Sequence, residues 1–159
     1  MTEAALVPES PQAPSVIRLL LNKLGVAYEE VPDHHGLNAS RKVQAVLLDD
    51  AVGALMVLFP QSQLLDLNRL AELTGRRLTA VSTERLEKML GKHNLSLLPG
   101  LPALTSSPCL YEESLLREPK LLINSGEPGL LLEISSEDFK SMLTKASAAN
   151  FGEALSSIR

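Results

Sequence analysis

The chain has 159 residues, 45% of them apolar and only 3% aromatic, with no tryptophan and a formal net charge of −4. That length suits one domain with an aliphatic core, and the mild acidity leaves no electrostatic footprint for strong duplex binding. One cysteine excludes an internal disulfide and fits a reducing, cytoplasmic setting, and no run of about 18 apolar residues is present to span a membrane as a helix.

The opening "MTEAALVPESPQAPS" lacks the basic and apolar regions of a signal peptide, and residues 1–13 are expected to form a disordered lead. Pro14 and Ser15 open a helix with Val16, Ile17, Leu19, Leu20 and Leu24 on its apolar face and Gly25 as its stop. "VAYEEVP" reads as a short strand and "DHHGLNAS" as a loop. "KVQAVLLDD" (42–50) and "GALMVLFP" (53–60) read as a hairpin closed around Asp49, Asp50 and Gly53. The uniformly apolar run Ala54–Phe59 predicts burial on both faces, near the centre of the sheet. "LDLNRLAELTG" reads as a helix capped by Asp66 and ended by Gly75, "RRLTAV" as a strand, and "STERLEKMLG" as a second capped helix from Ser82 to Gly91. "KHNLSLLPGLPALTSSP" is a long loop of the kind that often carries function. "CLYEESLL", "PKLLIN" and "GLLLEI" read as strands or strand ends, and "SSEDFKSMLTKA" as a helix with acids in its first turn. Residues 146–159 read as an extension of that helix or a linker. Helices and strands mix without strict alternation, which predicts an α/β fold with a mixed, curved sheet and helices around it.

Few residues carry chemistry by type and spacing. His34, His35 and His93 lack metal-ligand spacing and read as surface loop histidines. Cys109 follows Pro108 at a strand start, with nothing to activate it, and reads as a buried, inert thiol. Arg41-Lys42 and Arg76-Arg77 are small basic pairs that read as solvated strand ends, or together as contacts for a phosphate backbone. The turn "NSGEPG" (124–129) has two readings that the local sequence leaves open: a wide hairpin connection, or a cradle of backbone N–H groups for a small ligand.

The order of the pieces adds a resemblance. The helix ending "LGVAYEEV", the hairpin "VQAVLLDDAVGALMVLFP", the stretch "LDLNRLAELTGRRLTAVSTERLEKMLG", the loop "LLPGLPALTSSPCLYEESLL" and the segment "LLINSGEPGLLLEISSEDF" follow one another as in the YbaK family. That family includes the editing domain inserted in bacterial prolyl-tRNA synthetases and free-standing relatives that deacylate mischarged tRNA. The resemblance covers residues 14–145 and implies the fold of those editing domains. It implies an aminoacyl-tRNA deacylase that needs no cofactor or metal, with the tRNA acceptor end or an aminoacyl-adenosine-like ligand as partner and no membrane. A water helped by the substrate's own ribose hydroxyl would attack the ester.

Carried over residue by residue, the family's pocket lysine falls on Val43, with Lys42 one position early. A shift of one residue in a strand turns a side chain to the opposite face, unless a bulge restores it. The family's Gly-x-x-x-Pro loop is reduced to Gly100-Leu101-Pro102, its usual aspartate is Glu112, and Pro128 precedes the second glycine where a basic residue is common. The resemblance thus assigns catalytic contacts to Gly126 and Gly129, with Lys42 as a displaced cation, and substrate contacts to Val43, Gly100, Pro102, Asn124 and Ser125. The alternative is a non-catalytic binding or regulatory module derived from the family, as part of a signalling protein.

Overall fold

The computed structural model describes residues 12–105 and 107–143 in full, and the backbone of 147–149 and 152–154. In chain order the elements are α1 (Ser15–Leu24), β1 (Glu29–Pro32), β2 (Lys42–Asp49), β3 (Ala54–Pro60), β4 (Gln63–Leu65), α2 (Leu67–Thr74), β5 (Thr79–Ala80) and α3 (Thr83–Gly91). Then come α4 (Pro102–Thr105), β6 (Cys109–Glu112), a 3₁₀ turn (Glu113–Arg117), β7 (Lys120–Asn124), β8 (Leu130–Ser135), α5 (Ser136–Met142), β9 (Ser147–Ala149) and β10 (Gly152–Ala154). The expected lead lies outside the described residues as far as residue 11, and Ala13 at its end is buried against the core.

The apolar hairpin organises the sheet. Strand order is β1-β8-β7-β2-β3-β6-β9, so β2 and β3 occupy the middle, with β5 paired to β2 and a separate β4–β10 ribbon. β2 pairs antiparallel with β3 and parallel with β7, while β3 pairs parallel with β6, which makes the sheet mixed. Successive side chains of a strand point to opposite faces. Met56 and Leu58 accordingly join the larger core with Ile17, Leu21, Leu121, Ile123 and Phe139. Leu55, Val57 and Phe59 join a smaller one with Leu48, Leu70, Leu78 and Leu110. The uniform run Ala54–Phe59 is apolar because helices cover both sides of it.

Local stop signals set the helix bounds. Asp66 and Ser82 accept the backbone N–H groups of Arg69 and Arg85, and Ser135 accepts that of Asp138, each an N-cap. The strand expected over "RRLTAV" shrinks to Thr79–Ala80, because Arg76 is drawn away to the hairpin tip. There its guanidinium forks onto Asp50 at 2.6 and 2.8 Å and reaches the Gly53 carbonyl at 2.9 Å. This Arg76 contact, aided by the N–H groups of Val52 and Gly53, holds the Asp50 carboxyl well below the usual carboxylate range. The strand expected over "CLYEESLL" ends at Glu112 and continues as the 3₁₀ turn. Strands β9 and β10 stand where the sequence offered a helix extension or linker: β9 pairs with β6 and β10 with β4, each supplying ladder bonds to an edge that would lack them.

Leu58 is fully buried, whereas Leu19 is 69% exposed. Leu58→Ala is expected to cost about 2–5 kcal/mol in urea unfolding, and Leu19→Ala no more than about 0.5 kcal/mol. Cys109 is buried in the larger core and its thiol is pushed up to about 12 by loss of solvation. Native-state labelling by a thiol reagent should therefore run at least about a hundredfold slower than in urea-unfolded chain. Asp50 is the group whose folded pKa is depressed, so its contribution is complete above about pH 4 and lost as pH falls toward the folded value. Urea midpoints measured at several pH values should fall more steeply below about pH 4 for the native chain than for Arg76→Met.

Candidate functional site

The register of β2 decides which side chains face which way at its N-terminal end. Its ladder with β3 runs unbroken from Val43↔Pro60 to Asp49↔Ala54, with Lys42↔Leu122 and Val43↔Ile123 continuing it onto β7. No bulge interrupts these pairs, so the alternation carries through Lys42. Val43, Ala45 and Leu47 face the larger core, and Lys42 faces the other side. There the Lys42 ammonium donates to Asp33 Oδ1 at 2.7 Å and to the His34 carbonyl at 3.2 Å. Asp33 in turn donates its backbone N–H to the Gly129 carbonyl at 2.9 Å. Lys42 thus braces the outside of the 124–129 turn, and its charge has a carboxylate partner away from Val43.

On the Val43 side, Gly100 closes the wall. A Cβ built on it would stand 3.7 Å from the Ile123 side chain and 3.8 Å from Val43 Cγ1, ordinary contact distances. Gly100 and Val43 are therefore adjacent through space although far apart in sequence. Leu101 and Pro102 beside them are buried, and Pro102 opens α4, where a missing N–H is of no consequence. Glu112, at the aspartate position of the resemblance, is buried at the end of β6.

The turn 124–129 uses its polar atoms on itself. Asn124 Oδ1 accepts the Gly126 N–H at 2.8 Å, and Ser125 Oγ accepts the Glu127 N–H at 3.2 Å. The Ser125 hydroxyl donates to the Leu130 carbonyl at 2.8 Å, and the residue is fully buried. Two of the N–H groups a cradle would offer are thus already bonded within the turn, and a third position is proline. Gly126 and Gly129 take φ of +91° and +79°, backbone that side chains resist, so the paired glycines answer to the shape of the turn.

Turn and loop are joined directly. The Gly126 carbonyl accepts the N–H groups of Ser96 at 3.0 Å and Leu97 at 3.2 Å. A Cβ at Gly126 would come within 2.7 Å of Leu95 Cδ2, so the Leu95 side chain lies over that glycine. Leu95 is put there by the end of α3. Asn94 adopts φ +56°, its N–H reaches the Gly91 carbonyl at 3.2 Å, and the Leu95 N–H reaches the Leu90 carbonyl at 3.0 Å. This is a Schellman stop with asparagine in the left-handed position and the usual apolar residue after it. The helix ends at Gly91 as its sequence predicts, and the motif "GKHNL" carries the signal for the turn that follows, within the stretch expected as plain loop.

The structure thus brings Val43, Gly100, Pro102, Asn124, Ser125, Gly126 and Gly129 to one end of the sheet and turns Lys42 to its other face. Of the basic pairs, Arg41 bonds Glu133 at 2.5 Å, Lys42 bonds Asp33 and Arg76 bonds Asp50, while Arg77 is exposed. A phosphate backbone would have to compete with those carboxylates. His34 and His35 are exposed, and among the described residues no group of three or more metal-ligating side chains gathers. No described helix is long and apolar enough to cross a membrane.

Comparison with solved structures gives a candidate signal transduction protein from Marinobacter aquaeolei VT8, with 25% identity and a TM-score of 0.81 over 95% of this chain and 32% of that one. The present chain spans about a third of that protein's length. A candidate trans-editing enzyme for prolyl tRNA synthetase matches at 21% identity and a TM-score of 0.71, over 91% of this chain and all of that one, a likeness of fold. The comparison with curated proteins gives no match. The family model for the aminoacyl-tRNA editing domain matches residues 24–142, from the last residue of α1 to the last of α5, and the chain belongs to that family.

Proposed function

We propose that this chain is an editing-type domain that engages the aminoacyl end of tRNA and hydrolyses the ester weakly. The family supports the editing-type part of this reading, and the observation that supports weak hydrolysis is the buried, apolar wall at Val43, with no cation facing it among the described residues. Hydrolysis joins water oxygen to the carbonyl carbon, breaks the bond to the ribose oxygen and returns a proton to that oxygen. Negative charge grows on the carbonyl oxygen in between, and a cation helps only where it meets that charge. Val43 is buried against Gly100 and Ile123, and Lys42 is committed to Asp33 on the opposite face. Contacts from Gly100, Gly129 and Pro102 remain for holding the ligand. On this reading the protein works in the cytoplasm, where aminoacyl-tRNA is made and used.

A second reading has its own observation. The chain matches a third of a longer candidate signal transduction protein, which favours a non-catalytic recognition or regulatory module within a larger chain.

One deacylation assay separates the two, using Ala-, Ser- and Cys-charged tRNA with the native chain, Val43→Lys and Lys42→Ala. Native turnover should be low but measurably above the uncatalysed rate, and Lys42→Ala should not change it. Val43→Lys should raise turnover toward the 10²–10³ that such a charged donor is worth, as an order-of-magnitude estimate. Its thermal stability is read alongside, because a lysine in that wall is desolvated. Robust native turnover would overturn the weak-hydrolysis reading. No turnover in any variant would favour the module.

A further inference from the structure

We propose that Leu95 is the gate of this site and determines what can enter it. The inference rests on the editing-type reading only for the identity of the ligand; the gate itself stands on geometry. Three features converge on one segment. The Schellman end of α3 fixes the backbone at Asn94 and Leu95. The Leu95 side chain then lies over Gly126, within 2.7 Å of where a Cβ would stand. The next two residues, Ser96 and Leu97, both donate to the Gly126 carbonyl.

Behind the latch the segment runs through Leu98 and Pro99 to Gly100, which covers Val43 and Ile123. The wall at Val43 and the turn at Gly126 are therefore covered by one continuous strip, 95–100, attached at its start. Ser96 and Leu97 are exposed, so water can compete for their N–H groups, and Leu95 supplies the apolar hold. A ligand group that approaches Gly126 must take the space of the Leu95 side chain. Small side chains leave it in place, and large ones require the strip to lift.

Residue-resolved amide hydrogen exchange tests the gate without any substrate. In Leu95→Ala, the Ser96 and Leu97 amides should exchange at least about tenfold faster, while the Leu122 amide, which donates to the Arg41 carbonyl at 2.8 Å within the sheet, should not change. Leu95→Val, which withdraws the terminal methyls and keeps most of the apolar area, gives the same comparison if the alanine variant unfolds. In Gly126→Ala the new methyl meets Leu95 and should loosen the same two amides. Unchanged Ser96 and Leu97 exchange in both Leu95 variants would overturn the gate, as would equal acceleration at Leu122.

The ligand arm uses non-hydrolysable 3′-amide-linked alanyl- and leucyl-adenosine. Leu95→Ala should bind the leucyl probe at least about tenfold more tightly and the alanyl probe little differently, since only the larger group needs the vacated space. Equal gains for both probes would overturn Leu95 as the determinant of size. Binding of neither probe by any variant, with the exchange result intact, would support the gate and overturn the aminoacyl-end reading of the site.

Discussion

The register of β2 is the constraint on which the rest of the structure depends. Its ladder to β3 is continuous and its first two residues also pair with β7, so Val43 cannot rotate without breaking the pairing on both sides. The alternation that buries Leu47 beside Met56 therefore also buries Val43 and sends Lys42 to the other face. Moving Lys42 inward would require a bulge or a one-residue slip. The slip would turn Leu47 out of the core and Leu48 out of the smaller one, several buried side chains at about 1.5–3 kcal/mol each. A change of side chain at position 43 is thus a less costly way for this strand to put a charge in the site than a change of register.

The second constraint is hydrogen-bond accounting at the turn. A buried serine must spend its hydroxyl, and Ser125 spends it on the Leu130 carbonyl while accepting from Glu127. Asn124 does the same for Gly126. These bonds make the turn self-supporting and free the Gly126 carbonyl, on its outer side, to anchor the 95–98 strip. The six-residue length and the two positive-φ glycines follow from that double duty, inward to β8 and outward to the loop. A turn of this kind persists as scaffold whether or not ester chemistry is carried out beside it.

Much of the fold was legible because its signals are local and redundant. The two-faced burial of β3 followed from Ala54–Phe59, the helix bounds from Asp66, Gly75 and Ser82, and the position of Val43 from counting along one strand. The reading failed where tertiary partners override local pattern. "RRLTAV" looks like a strand until Arg76 finds Asp50, and β9 and β10 form on edges whose existence no window of the sequence reveals. In the site, the proximity of Val43, Gly100 and the turn came from the family resemblance. The inward use of Asn124 and Ser125 was hidden, because an Asx or serine turn and a ligand contact call for the same residue types. Leu95 was hidden because the stop at Asn94 was read as plain loop.

The departures at Val43 and Leu101 share one buried wall. A charged side chain at position 43 would need water or a carboxylate within reach, and the wall around it offers the buried side chains of Ile123, Leu101 and Leu95. Burial would lower the pKa of an amine there unless it met a carboxylate or the charge that grows on an ester oxygen. Valine at position 43 raises no such conflict, and Gly100 at the end of the 95–100 strip lies beside Val43 and Ile123. A charge added at position 43 would therefore depend for its effect on the water or carboxylate that the 95–100 strip leaves within its reach.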